Sequence, residues 1–384
     1  MLFRSIVGQA HLKRHLVRSA DNNRIPHAQL FVGPEGSGTL PMAIAYARYI
    51  LCRNTGGEND TGNESCNAKV EHFNHPDLHF SFPVNGTAEV KSEHAYSQKF
   101  MSQWREFLRE QPYGNLFDWL QKLGIENKQG LMGVNEAAHL SKALSLKSYE
   151  GGRKVLIMWM AEKMNDACSN KLLKLIEEPP KDTVIILIAE DEDQLLQTIT
   201  SRCQILHFPP LAEADIIKAL EQWDLDPNTA QKIAHQAHGN FNKAIDLVNN
   251  DSEDLVFERW FVFWVRSAFK AKGNKKAIND LLSWSEEIAR TGRETQKQFL
   301  QYCIEVFRQA LMVNYQAQEL AYTEFSQEDF RLEKFAPFVH GNNILEINRE
   351  LEEAIYHIER NGNGKVILGD LAIKLTRLLH ARKE

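Results

Sequence analysis

The distribution of apolar residues changes character along the chain. Up to about position 209, short apolar runs alternate with segments whose apolar residues recur every three or four positions. The runs are "AQLFV", "KVLIMWM", "TVIILIAE" and "QILHF". Runs of this length predict strands, with "KVLIMWM" and "TVIILIAE" buried on both sides. "VGQAHLKRHLVRSADNN", "PMAIAYARYILC", "VNEAAHLSKALSLKSY" and "AEKMNDACSNKLLKLIEE" carry the helical repeat, and "DQLLQTITSRC" reads as a short helix and turn. Gly151-Gly152 is expected to end the third of these helices and Pro179-Pro180 the fourth. Strands alternating with helices predict an α/β domain with a parallel sheet covered on both faces.

After Pro209-Pro210 the strand signals stop. "EADIIKALEQW", "PNTAQKIAHQAHG" and "NKAIDLVNN" predict three short helices, and every periodic segment beyond them is helical. The expected organisation is an α/β domain over 1–209, a small helical segment over 210–250 and an all-α bundle over 251–384. "RNTGGENDTGNES" is polar and glycine-rich, so it predicts a flexible loop. Residues 80–133 hold two short amphipathic helices, "SQKFMSQWREFLRE" and "GNLFDWLQKLGI", separated by Pro112, and read as an insertion on the α/β domain.

Composition narrows the class. The chain has 384 residues, 43% hydrophobic and 25% charged, as expected of a water-soluble protein of two or three domains. No run approaches the ~18 apolar residues of a membrane span, and "MLFRSIVGQAHLKRHL" has no signal-peptide core, so a cytoplasmic location is expected. The five scattered cysteines suit reduced thiols better than a disulfide framework. A net charge of −6 argues against a protein that grips DNA by itself, because phosphate contacts need a basic surface.

The first candidate chemistry is "GPEGSGTLP", directly after the strand "AQLFV". A phosphate-binding loop reads G-x-x-x-x-G-K-[ST]. Gly33, Gly36 and Gly38 keep its turn, but Thr39 stands at the Lys position and Leu40 at the Ser/Thr position. Thr39 is no substitute Mg²⁺ ligand, since one residue earlier it points elsewhere on the first helical turn.

With these stretches in view, "FRSIVGQ", "HAQLFVGPEGSG", "HPDLHF", "NKLLKLIEEPP" and "TITSRC" follow one another in the order of bacterial clamp-loader subunits of the AAA+ class. The final "NGNGKVILGDLAIKLTRLL" resembles the end of their collar helices. The resemblance covers residues 3–80, 134–250 and the last helix; the insertion between them is outside it. It implies a P-loop α/β domain, a helical lid and a helical collar.

Against that family's pattern four ATP elements are damaged. The loop lacks its Lys and hydroxyl, which neutralise phosphate and hold Mg²⁺. Trp159 and Met160 stand where an acidic pair should end the next strand, and Glu162 falls beyond, in the following helix. Glu190 and Asp191 replace a polar sensor, and Asn242, followed by Lys243, replaces the lid arginine. The glycines persist because the turn requires them, and helix N–H groups could still attract a phosphate weakly. The resemblance also implies that Arg202, in the intact "TSRC", is an arginine finger reaching a neighbouring subunit's ATP. The alternative is an arginine that caps a helix or pairs with an acidic surface, while Ser201 and Cys203 set the local turn.

The family carries a zinc module of four cysteines. Here only Cys52 and Cys66 occur in that region, with His72, His75 and His79 nearby, so zinc is not expected. Cys168 and Cys303 read as core. The aromatic stretch Phe257 to Trp264 predicts a buried collar helix, or a subunit interface. Taken together, the expectation is a non-catalytic clamp-loader subunit for DNA replication. It completes a ring with gamma/tau-type and delta-type subunits, meets the sliding clamp indirectly and touches primed DNA only within the complex. The alternatives are an ATP-hydrolysing motor subunit with divergent motifs and a free-standing nucleic-acid-binding protein.

Overall fold

The computed structural model describes residues 3–53, 62–150, 152–249, 252–271, 274–316, 325 and 330–380. In chain order the α/β region comprises α1 (Ala10–Asp21), β1 (Ala28–Val32), α2 (Thr39–Cys52), α3 (Glu64–Glu71) and β2 (Leu78–Ser81). It continues with α4 (Met101–Glu110), α5 (Leu116–Lys122), α6 (Val134–Ser145), β3 (Lys154–Met158), α7 (Asp166–Glu177), β4 (Thr183–Ala189), α8 (Gln197–Thr200) and β5 (Gln204–His207). Three helices follow: α9 (Glu213–Glu221), α10 (Pro227–Ala237) and α11 (Phe241–Asn249). The rest is α12 (Ser252–Lys270), α13 (Lys275–Ala289), α14 (Arg293–Asn314), α15 (Leu332–Phe335), α16 (Gly341–Glu359) and α17 (Gly364–Leu379).

The five strands form one parallel sheet in the order β2-β3-β4-β1-β5. Every residue of β1, β3 and β4 is buried, and the two-residue period of a strand explains how. In β4, Val184, Ile186 and Ile188 join one core with α1 and α2, while Ile185, Leu187 and Ala189 join another with α6 and α7. A parallel sheet covered on both faces is what the apolar runs predicted.

Several boundaries differ from the sequence reading. α6 ends at Ser145, where Leu146 turns extended, well before Gly151-Gly152. The segment after β3 is a single 3-10 turn, Ala161–Lys163; α7 starts only at Asp166, capped by the Asn165 side chain on Cys168 N–H. Glu162 therefore lies on that turn, outside the helix expected to hold it. β2 and α3 carried no recognised signal, and α13 and α15 fall within the all-α bundle expected over 251–384. Of the polar loop "RNTGGENDTGNES", residues 54–61 lie outside the described residues, and its end already belongs to α3.

Residues 1–125 and 129–245 form one compact unit; residues 126–128 and 246–384 form a second. The second has its own core, drawn from α12 to α17. Phe257, Trp260, Phe261 and Trp264 of α12 are buried in it, with Trp264 stacked on Trp284 at 4.8 Å, but Phe263 is 44% exposed. Among the described residues no helix is long and apolar enough to cross a membrane.

Candidate functional site at the degenerate phosphate loop

The loop between β1 and α2 has the backbone of a phosphate cradle. Gly36 and Gly38 take left-handed φ values of 69° and 91°, which glycine adopts without strain. At Gly36 there is a second reason. A Cβ there would fall 1.9 Å from Asn240 Oδ1, so the lid presses directly on the loop. Phe241 N–H donates to Gly36 O at 3.2 Å. Gln9 Nε2 donates to Ser37 O at 3.1 Å and to Pro209 O at 2.8 Å, tying the N-terminal segment and the lid linker to the same turn.

The lid position expected to hold a phosphate-reading arginine is Asn242, and it is buried. Its Nδ2 donates to Asp118 Oδ2 at 3.0 Å and lies 3.5 Å from Glu35 Oε1, to which Asn240 Nδ2 also donates at 3.1 Å. An arginine would read phosphate oxygens here; the asparagine instead satisfies two carboxylates of its own chain. Asp118 is already engaged, since with Asn115 it forms the capping box that starts α5.

The insertion supplies the third wall. Tyr113, just before α5, accepts a hydrogen bond from Val7 N–H at 2.9 Å and meets Phe241 edge-on at 4.8 Å between ring centroids. Its ring carbon lies 3.4 Å from where a Gly38 Cβ would be, so the ring covers the start of α2. Burial pushes its hydroxyl up to about 12, so the phenol stays protonated. Trp159 and Met160 close the floor. Trp159 lies 5.2 Å from Trp104 and 5.9 Å from Phe107, within the aromatic core of the insertion, and Met160 turns the chain with φ 57°. Gly33, Gly36, Gly38, Thr39, Leu40, Tyr113, Trp159, Met160 and Glu190 thus line one cavity of about 30 Å³. That holds roughly one water, whereas ligand sites run to about 300–1,000 Å³.

The remaining predicted residues fall around this point. Glu162 Oε1 accepts from Glu190 N–H at 3.4 Å, and burial raises its carboxyl above the ordinary range. Asp191 caps the short turn after β4 by accepting from Asp193 N–H at 3.0 Å. Arg202 is not among the residues lining the cavity. It is half-exposed, its Nε 2.5 Å from Glu177 Oε1 of α7, and its Nη1 donates to Thr198 O at 2.8 Å. Burial lifts the neighbouring Cys203 thiol to about 11, which leaves no thiolate for chemistry near neutral pH.

The zinc region departs from expectation in one respect. Cys52 at the end of α2 and Cys66 on α3 form a disulfide rather than standing as free thiols. The two residues end up 5.4 Å apart at Cα because α3 folds back onto α2, a contact that cysteine counting cannot reveal. Cys66, His75 and Glu150 do cluster, their possible ligand atoms within 4.8 Å of one another. The donor set does not fit zinc. The disulfide uses both sulfurs, and His75 Nδ1 accepts from Asp77 N–H at 3.1 Å. That leaves only Nε2, which faces Glu150 Oε2 at 3.2 Å, and one ring nitrogen with one carboxylate falls short of the four ligands of a structural zinc site. His79 sits half-buried on β2, and His72 ends α3.

Sequence reasoning missed Tyr113, Asn240, Gln9 and Asp118. The available signal was Pro112-Tyr113-Gly114, a turn joining two amphipathic helices with an aromatic residue at its tip.

A five-stranded parallel sheet with a glycine loop leading into α2, and a three-helix lid docked on that loop, defines an AAA+-class domain, here joined to a helical C-terminal unit. The chain belongs to the family described as DNA polymerase III, delta subunit, whose model matches residues 8–212, and within it to the delta-prime type. It is 30% identical over 243 residues to DNA polymerase III subunit delta' of Bacillus subtilis, covering 63% of this chain and 60% of that protein. It is 26% identical over 275 residues to the Yersinia pestis subunit delta', covering 70% and 66%. The alignments thus span less than two thirds of these relatives' length. A solved DNA polymerase III gamma subunit-related protein of Thermotoga maritima covers 96% of this chain and 99% of its own, at 15% identity and a TM-score of 0.34, too low to argue from.

Proposed function

We propose that this chain is a non-catalytic clamp-loader subunit of DNA polymerase III, acting in replication beside gamma/tau-type and delta-type subunits. The observation that carries this is the state of its own nucleotide site. The cradle survives, but Thr39, Leu40, Trp159 and Met160 offer neither a charge for phosphate nor a ligand for Mg²⁺, and the lid rests directly on the loop. Such a domain cannot turn over ATP, yet it can serve as a rigid member of a ring.

Arg202 is the residue proposed to act outward. Its ion pair with Glu177 and its bond to Thr198 O hold the guanidinium at the surface, where a neighbour's γ-phosphate could replace the carboxylate. Arginine fingers are worth ~10³ to 10⁵ in rate in the GTPases where they are best measured. The same contacts also describe an arginine with a purely structural ion pair, so an experiment must separate the two. ATPase activity of a loader reconstituted with this chain should fall sharply in the Arg202→Ala variant while the complex stays assembled, and the isolated chain should be inactive. Unchanged turnover with Arg202→Ala would leave Arg202 structural. Turnover by the chain alone would make it a motor.

A further inference from the structure

We infer that the tip of the insertion, residues 112–118, is a built-in occupant of the former nucleotide site and holds the lid shut without any ligand. The inference rests on reading that site as degenerate and adds what has taken the ligand's place.

Three observations converge on it. First, Tyr113 reaches across the site: its hydroxyl accepts from Val7 N–H, its ring covers the Gly38 turn, and that ring meets Phe241 of the first turn of α11 in a T-shaped contact. Second, Asp118 receives Asn242 of the lid, so the insertion and lid are joined by a polar contact as well as an aromatic one. Third, the lid also contacts the loop directly, beside the insertion tip. Asn240 packs against Gly36 and binds Glu35, and Phe241 N–H binds Gly36 O. In a working site these are positions where a ligand bridges lid and loop. Here the bridge is covalent chain, and the residual 30 Å³ leaves no room for a nucleotide. A tethered occupant is always present at saturating effective concentration, so the lid equilibrium is independent of nucleotide supply.

The insertion is anchored well enough for this role. Trp104, Phe107 and Trp119 are buried around Phe82 and Trp159, with Trp104 stacked on Phe82 at 4.2 Å, and Trp119 Nε1 donates to Pro83 O at 2.7 Å. The acidic position lost at Trp159 and the plug at Tyr113 therefore belong to one packing arrangement.

The test is amide hydrogen exchange on the full-length chain, with and without millimolar ADP. In the wild type the amides at the start of α11 should be protected, and ADP should change nothing. Tyr113→Ala should speed their exchange about tenfold or more while β4 exchanges as before. Tyr113→Phe keeps the ring but removes the acceptor for Val7 N–H, so it should expose that amide and leave α11 protected. If Tyr113→Ala does not fold, Asn242→Ala cuts the lid's link to Asp118 and should give the same speeding at α11. Wild-type α11 rates in a folded Tyr113→Ala variant, or in Asn242→Ala where Tyr113→Ala fails to fold, would overturn the plug alone. ADP protection of the wild-type lid would overturn the degenerate site together with the plug.

Discussion

At position 159 an aspartate would face the rings of Trp104 and Phe107; the tryptophan packs against both at a tilt, with ring centroids 5.2 and 5.9 Å away. Burying an unpaired carboxylate costs several kcal/mol, so an apolar residue at 159 and the aromatic insertion suit each other. Glu136 shows the chain managing a buried carboxyl elsewhere. It is 1% exposed, on α6, and its two oxygens take Ser97 N–H, at 2.7 Å, and Ser97 Oγ. Burial raises its pKa above 4.5, and the bonds from Ser97 only partly oppose the shift. A raised carboxyl is fully stabilising below its unfolded value and loses that contribution as pH rises through its folded value. Stability of the wild type should therefore fall relative to Glu136→Gln as pH climbs above the ordinary glutamate value of about 4.3. Urea titrations across that rise would read it, and parallel curves for the two proteins would sink it. The departures from the phosphate-loop pattern could be read in the sequence because they are local: Thr39 and Leu40 sit one after the other behind Gly38. Tyr113 was not, because its partner Val7 is 106 positions away and nothing in either segment names the other.

At the level of elements, the strong periodic segments were legible and the short ones were not. β1, β3 and β4 are uniformly buried, so their apolar runs had one reading. β2 is four residues, three of them at the end of "HPDLHF", too short to show a period. α3 has eight residues and mixed polarity; its start is set by Asn63, whose side chain accepts from Cys66 N–H. The Cys52–Cys66 disulfide fastens α3 to the end of α2 across a separation of 14. In a loop of that size a disulfide contributes about 3 kcal/mol, mainly by restricting the unfolded chain. Thiol titration in denaturant should count three groups without reductant and five with it, because Cys168, Cys203 and Cys303 are free. Reduction, or Cys52→Ser, should lower stability by roughly that 3 kcal/mol, and the purified protein should hold far less than one zinc per chain. Five thiols without reductant, or stoichiometric zinc, would show that the two sulfurs are not bonded in solution.

On the scale of the whole molecule, the second unit has a core of its own and carries exposed apolar side chains on its last helix. In α17 Leu368, Leu371, Ala372 and Leu375 face its core, while Val366 and Ile373, seven positions apart and so on one face, are 65% and 62% exposed. Asp370 and Arg377 lie on the same outward side, giving an apolar pair with a charged surround, the pattern of an interface core and rim. Leu345 on α16 is 78% exposed. Two apolar side chains in water are ordinary by themselves, so the pattern acquires meaning only through the proposed ring. If the C-terminal unit is the collar of such a ring, charge on this face should be tolerated by the monomer and rejected by the assembly. Val366→Glu combined with Ile373→Glu changes two largely exposed positions, so stability should move by no more than about 0.5 kcal/mol per site. The double variant should elute and melt like the wild type when alone. Mixed with the other loader subunits, it should fail to co-elute with them, because two carboxylates would be buried without partners. Normal incorporation of a well-folded double variant would mean that subunit contacts lie on another face, and Leu345 on α16 would be the next position to charge.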